Sequence, residues 1–367
     1  MTLGLLCLGL ASFQAAMVHR NLGLYQPPAA DTANCPPISV LIPARDEQSR
    51  LPALFETLSR QQGVVFEVLV LDDNSSDATY AVASAVAEVD SRFVALTAST
   101  LPAGWAGKQH ACHLLSQAAR HENWLFIDAD VRLSSPNALA RISQHLHRGE
   151  SAMQSGIPWQ KTRGWAEQLI IPLIHLVLLG YLPFWEMRRN RLPALGAACG
   201  QMVAVKSQAY RQVGGHSAIR HRLHDATALA ALFRGGGYLT DLFDATPLAE
   251  CRMYSSAVDV FRGFAKNATE GMARPLILPL WTVLLLGANV LPWVLAATGV
   301  ATVPVLVAMS LSAWVYVRLG RRYGQTSAGV LSRPVGVALF VGIQWTALLG
   351  KWLGVRSRWK GRDYERL

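Results

Sequence analysis

The stretch WLFIDADVRL, residues 124–133, sets the reading of the whole chain. Four apolar side chains run straight into two carboxylates, Asp128 and Asp130, with only Ala129 between them. A short, continuous apolar run reads as a strand buried on both faces. Alternation along such a strand puts both carboxylates on one face at its end. Like charges so close repel unless a cation lies between them. Hard oxygen donors in this arrangement suit Mg²⁺ or Mn²⁺. The same Asp-x-Asp pattern also fits a solvated turn.

Three similar runs precede it. ISVLIPA (38–44), FEVLVLDD (66–73) and RFVALTA (92–98) are short and apolar, and they alternate with the helix-like stretches RLPALFETLSRQ and DATYAVASAVAEV. Strands alternating with helices predict an α/β domain whose mostly parallel sheet is covered on both faces. Ligands in such sheets bind beyond the carboxyl ends of the strands. Asp46 with Glu47, Asp72 with Asp73, and Asp128 with Asp130 all fall at such ends.

The remainder is too apolar for an ordinary soluble enzyme. Of 367 residues, 51% are hydrophobic and 16% charged, and the excess gathers at the N-terminus and after residue 275. The net charge of +10 is compatible with nucleic acid or an anionic membrane face. Many arginines flank apolar stretches and no nucleic-acid-binding module is visible, so the membrane is the partner expected and nucleic acid is not. The five cysteines are scattered without a C-x-x-C pair, which argues against a zinc site or a disulfide framework.

Residues 1–20 read as a membrane anchor, because the basic residues His19 and Arg20 follow the apolar run rather than precede it. Proline and small residues make 21–37 a linker, and 38–274 the catalytic domain. The region 275–354 is expected to be transmembrane. Residues 275–317 hold no acidic or basic side chain and suit two spanning helices joined near ATGVATVP. The loop 318–333 holds four arginines and no acid, which places it in the cytoplasm. The tail 355–367 is also basic. The stretch 335–350 between them either spans or dips back, and one crossing between two loops that both prefer the cytoplasm is contradictory.

Smaller motifs supply further candidates. In VLDDNSSDAT, Asp77 and Ser76 are placed to cap the next helix, which leaves Asp72 and Asp73 unexplained; Asp73 is suited to a base or ribose. GWAGKQHA (104–111) is a glycine turn opening a helix, with Lys108 placed to meet phosphate or base, or to be an ordinary surface lysine.

VLIPARDE, VLVLDDNSSDAT, GWAGKQHA and FIDADV, in this order and at these intervals, resemble glycosyltransferase family 2. LPAGWAGK, followed by RMY, GFAKN and WKGRDY, resembles its membrane-anchored branch near the hopanoid-associated and carotenoid glycosyltransferases. The resemblance covers residues 38–270 well and the membrane part in outline. It implies a GT-A, Rossmann-like domain, a nucleotide-sugar donor, an inverting mechanism and a lipid or isoprenoid acceptor. Ala44, Glu47, Asp73, Lys108, Asp128 and Arg262 are the donor-binding residues so implied, and Asp128 and Asp130 the ligands of a divalent metal. Asp46 stands where the family often has asparagine. The family's base lies in an acidic pair opening a helix before a glycine-rich turn. Here LHDATALAALFRGGGY has His224 in the first place and Asp225 in the second, so Asp225 is the implied base. The Q-x-x-R-W motif is absent, and DVFRGFAKN, with Arg262 and Lys266, takes its approximate place.

Asp130 and Asp225 must face one substrate, so the chain between them cannot cross a bilayer an odd number of times. Residues 166–185, long enough to span, are therefore expected to lie in the interface, interrupted by Pro172 and Pro183; a buried core helix is the other reading. The resulting expectation is a multi-pass protein of the cell membrane with a cytoplasmic catalytic domain. Nucleotidyl transfer and a catalytically inactive scaffold of the same fold are the competing functions.

Overall fold

The apolar runs form the strands expected of them. The computed structural model describes residues 1–266, 268–354, 357–359 and 362–364. Across its seven-stranded central sheet the order is Phe93–Thr97, Phe66–Asp72, Ile38–Ala44, Asn123–Ile127, Met202–Lys206, Met153–Ile157 and Thr240–Asp244. All neighbours are parallel except Met202–Lys206, which runs antiparallel to both of its own. Ile38, Val40 and Ile42 gather with Leu54 and Leu58 of the helix Leu51–Ser59, while Leu41 on the other face joins Leu115 and Trp124. Burial on both faces is why these strands are apolar without interruption.

The fourth strand ends at Ile127, not Asp130. Asp128-Ala129-Asp130 is a turn, closed by Val131 N–H donating to the Asp128 carbonyl at 3.1 Å, before a short strand Val131–Leu133. The expectation that strand alternation puts both carboxylates on one face is thereby corrected.

The N-terminal helix runs Thr2–Leu24, past the anchor boundary expected at residue 20. Residues 25–37 are not a free linker. Arg141 donates to the Ala29 carbonyl at 3.1 Å, Gln144 to Ala33 at 2.9 Å and Ser143 to Pro36 at 2.6 Å, strapping the segment along the helix Ala138–Arg148.

Among the described residues three helices are long and apolar enough to cross a membrane: Thr2–Leu24, Val303–Arg322 and Arg333–Trp352. The first stretch after residue 275 is not one continuous helix but Leu278–Asn289 and Leu291–Ala297, bent by 48°. Pro292 has no N–H to continue the ladder. Trp293 N–H turns instead to Val290 at 3.1 Å, and the Tyr316 hydroxyl donates to the freed Asn289 carbonyl at 3.1 Å. Such rescue is what an apolar surrounding demands of a broken helix.

Residues 165–187 form three short helices, Trp165–Ile170, Leu173–Tyr181 and Phe184–Met187, broken at the two prolines. They pack on the N-terminal helix, whose Asn21 donates to the carbonyls of Leu179 at 2.8 Å and Leu182 at 2.7 Å. Both flanks return to the catalytic domain. Lys161 N–H donates to Cys251 at 2.8 Å, and Arg188 pairs with Asp241 at 3.0 Å. The segment therefore enters and leaves from one side.

The helix Arg333–Trp352 also meets that layer along its length. A side chain at Gly336 would stand 2.5 Å from the Leu169 carbonyl oxygen, Phe340 meets Phe264 edge-on, and Leu348 is buried with Ala268 and Ala273. Of the basic tail, only Ser357–Trp359 and Arg362–Tyr364, paired antiparallel, are described; the rest of that expectation lies outside the described residues.

Among the described residues an ion pair joins the sheet to one of the long apolar helices. Arg322, ending Val303–Arg322, donates to Asp244 Oδ2 at 2.8 Å and to the Tyr25 carbonyl at 2.9 Å. Asp244 is buried at the end of the last sheet strand. Replacing Arg322 by Met leaves that carboxylate without its cation, at a cost of about 3 kcal/mol. The expected reading is a lowered thermal midpoint in detergent, and an unchanged midpoint would contradict the joint.

Candidate active site

Beyond the carboxyl ends of the strands the acids are divided between structural and available roles. Asp72 accepts from the Ser75 hydroxyl, and Ser75 Oγ in turn accepts from Asp46 N–H at 2.9 Å. Asp46 needs that support because it adopts φ 51°, a left-handed conformation that aspartate tolerates better than most residues. Its carboxylate accepts from Ser76 N–H at 2.8 Å, and Asp77 accepts from Thr79 N–H at 3.0 Å where the helix Thr79–Val89 begins. Asp72, unexplained by sequence, is thus a loop-building residue.

The expected donor-binding residues line this loop pair. Ala44 is buried and its carbonyl accepts from Asp73 N–H at 2.8 Å, which holds Asp73 at the strand end. The Asp73 carbonyl accepts from Arg45 at 2.8 Å. Glu47 pairs with Arg50 at 3.2 Å, and its N–H donates to Thr79 at 2.8 Å.

Lys108 lies in the first turn of the helix Gly107–Ala118. Its ammonium is 2.7 Å from Asp128 Oδ1 and 3.0 Å from Asp225 Oδ2, and so bridges the end of the fourth strand to a helix that begins 117 residues after Lys108 itself. Gly200 permits the approach, since a Cβ there would stand 3.1 Å from Asp225 and 3.5 Å from Lys108. Burial disfavours the ammonium, but the two carboxylates outweigh it and Lys108 is held well above the ordinary lysine range. Burial likewise acts to raise Asp225, yet Lys108 overrides it and the carboxyl is held at about 2.

Asp225 opens the helix Asp225–Gly235 and accepts from Ala226 N–H at 2.8 Å. His224 precedes it with its Nε2 3.3 Å from the Thr227 hydroxyl. Burial lowers the His224 imidazole, so it stands beside the acid as a neutral neighbour. Glu270 fixes the approach to this helix by accepting from the N–H groups of Leu223 at 3.0 Å and His224 at 3.2 Å.

Asp130 faces a different set. Burial first, then the Asp128 charge, pushes its carboxyl up to about 7, with Arg50 opposing. Its Oδ1 is buried with no hydrogen-bond partner. An orphaned oxygen beside a second carboxylate fits a divalent cation. Among the described residues no third His, Cys, Asp or Glu joins them as a ligand group. Two carboxylates leave the remaining positions to water and substrate phosphate, the manner in which Mg²⁺ is ordinarily held.

Arg262 is one of the two cations expected near the leaving diphosphate. It is exposed on the helix Ala257–Lys266, and among the described residues no ion pair joins it to the carboxylates. Lys266, one turn later, is the cation turned toward them. Burial and the nearby Lys108 lower its ammonium to about 8, while Asp225 and Asp128 oppose the shift. Sequence reasoning also missed Gly200, Arg50 and Glu270. A basic residue one helical turn from Arg262 was visible, but nothing local distinguished the two.

Known proteins bear out this architecture. Residues 39–214 match the family model described as glycosyl transferase family 2. A 4,4'-diaponeurosporenoate glycosyltransferase of Staphylococcus haemolyticus (strain JCSC1435) is 27% identical over 236 residues, 64% of this chain and 61% of the relative's own length. The protein of that name from Staphylococcus aureus (strain USA300) is 25% identical over 340 residues, 89% of this chain and 88% of that one. Among solved structures, a mannosyltransferase from Pyrobaculum calidifontis in complex with GDP-Man and Mn²⁺ aligns over 95% of this chain and 99% of its own, with a TM-score of 0.58 at 15% identity. That likeness establishes the GT-A fold. Over residues 39–214 the chain is thus similar to glycosyl transferase family 2, and over a longer stretch it is similar to the diaponeurosporenoate glycosyltransferases, spanning about three fifths of the length of the first of them.

Proposed function

We propose that this chain is an inverting transferase that moves a sugar from a nucleotide-sugar donor to a lipid or isoprenoid acceptor at a membrane surface, with a divalent metal and Asp225 as general base. The observation that carries the reading is the shared ammonium of Lys108, which sets Asp128 and Asp225 on two sides of one cleft. An acid reserved for the donor and an acid reserved for the acceptor need that placement.

Asp128 and Asp130 are the residues that would hold Mg²⁺ or Mn²⁺, whose charge would offset the charge developing on the leaving nucleotide diphosphate. Glu47 and Asp73, at the ends of the first two strands, orient the nucleoside. Lys108 turns from Asp225 toward the diphosphate, and Lys266 stands close enough to add a second positive charge. Asp225, once free of the ammonium, takes the proton of the acceptor hydroxyl at its carboxylate as that oxygen attacks the anomeric carbon from the face opposite the leaving group. A single displacement inverts that centre.

The acceptor class rests on what surrounds the cleft. Residues 165–187 dip from the catalytic domain against the N-terminal helix, and Trp165 is 62% exposed, as an aromatic at headgroup level would be. The relatives' name specifies a diaponeurosporenoate, a lipid-type acceptor of those proteins. We place the catalytic domain in the cytoplasm, because Asp244 of its sheet pairs with Arg322 in the acid-free basic loop, and such loops face inward. We read the helix Arg333–Trp352, which packs on Leu169, Phe264 and Ala268, as lying along the interface, a placement that would avoid a single crossing between two basic segments.

Three outcomes test the reading. In detergent titrations with UDP-, GDP- and TDP-sugars, one donor binds in the presence of Mn²⁺, and Asp130→Ala abolishes that binding; no binding of any donor to folded protein contradicts the proposal. Asp225→Asn lowers turnover by about 10² to 10⁴ while donor affinity stays within a few-fold. Loss of donor binding in that variant would instead make Asp225 a donor ligand. Lys108→Met leaves two facing carboxylates without their cation and destabilises the metal-free protein by about 1.5–3 kcal/mol, seen as a lowered melting midpoint that Mn²⁺ restores in part. A midpoint equal to that of the wild type removes the bridge from the account.

A further inference from the structure

Away from the carboxylates, a cavity of about 350 Å³ opens between Arg222, residues 269–275 and the end of the helix Arg333–Trp352. Arg222, Arg274 and Lys351 line it, together with Glu270, Leu348 and Trp352. Among the described residues none of the three cations is in an ion pair. The one carboxylate present is already committed, because both Glu270 oxygens accept from the backbone N–H groups of Leu223 and His224. Its own carbonyl accepts from Arg274 at 2.6 Å, which fixes that guanidinium at the rim.

Each cation alone has an ordinary explanation. Lys351 sits in the last turn of Arg333–Trp352, where a positive charge suits the helix dipole, and arginines commonly flank membrane helices. Neither explains why three chain segments far apart in sequence bring unpaired cations to one cavity. The level of the cavity is marked by exposed apolar side chains, with Leu276 92%, Trp352 62% and Leu353 83% accessible. Leu348 and Ala273, both buried, give it an apolar wall on the membrane side. A site basic on one side and apolar on the other, at the headgroup level, has the chemistry of a phosphate ester carried by a lipid.

We propose that this cavity binds the phosphate headgroup of an anionic membrane phospholipid, with Arg274 and Lys351 as its main partners and Arg222 opposite them. Through Glu270 the site adjoins the loop that leads into Asp225, so an occupied cavity steadies that loop. The inference does not depend on the donor reading and is tested without turnover.

The test is native mass spectrometry of the full chain in detergent with equimolar phosphatidylglycerol and phosphatidylcholine. The wild type retains phosphatidylglycerol over phosphatidylcholine by about tenfold or more, given about 1 kcal/mol for each cation near an anionic headgroup. R274Q/K351Q binds the two lipids equally, with its melting midpoint checked, and Lys351→Arg keeps the preference because the charge remains. Equal retention by the wild type, or an unchanged preference in folded R274Q/K351Q, overturns the proposal. Displacement of phosphatidylglycerol by excess inorganic phosphate also overturns it, since the cavity would then recognise a free anion rather than a lipid.

Discussion

A single ammonium holds the two halves of the cleft together. Asp128 ends a strand of the parallel half of the sheet, and Asp225 opens a helix that follows the antiparallel crossover, yet both lie within 3.0 Å of Lys108. Without a cation, two carboxylates so placed, one of them buried, would repel each other. Lys108 solves this electrostatic problem in the absence of ligand, and Gly200 supplies the room. In the proposed mechanism the same contact would hold Asp225 back from acting as a base until the charge of a donor diphosphate drew the ammonium away.

A second ion pair does for the membrane region what Lys108 does for the cleft. Asp244 and Arg322 fasten the last strand of the sheet to a long apolar helix, and Tyr25 at the end of the N-terminal helix shares the guanidinium. The dipping segment 165–187 is anchored at both flanks to the catalytic domain. Together they set the strand ends at a fixed height over an apolar layer. In the proposed function a soluble donor would reach such a site from water and an amphiphilic acceptor from a membrane.

The parts legible in the sequence were those whose burial is total. Ile38–Ala44 was bounded to the residue and Phe66–Asp72 to within one, because strands covered on both faces must be apolar throughout. Acids at their ends pointed to the cleft for the same reason. Met153–Ile157 and Thr240–Asp244 go unread because Gln154, Ser155 and Asp241 interrupt the apolar pattern, whereas Met202–Lys206 is apolar through Val205 but lacks the alternating helices that frame the first four strands. The Lys108–Asp225 pair joins residues 117 apart with no local signal, and which of Arg262 and Lys266 faces the carboxylates turns on which face of one helix is covered. Asp72 is left unexplained by the sequence because a carboxylate building a loop and one awaiting a ligand look alike in a string of letters.

The most direct measurement is an experimental structure of the full chain with a nucleotide-sugar and Mn²⁺ bound. The account predicts density for the ion between Asp128, Asp130 and the diphosphate. It also predicts that Lys108 has left Asp225 for a phosphate oxygen, with the Asp225 carboxylate open toward the anomeric carbon. A bound donor with Lys108 still bridging Asp128 and Asp225, or an ion held away from both Asp128 and Asp130, would contradict it.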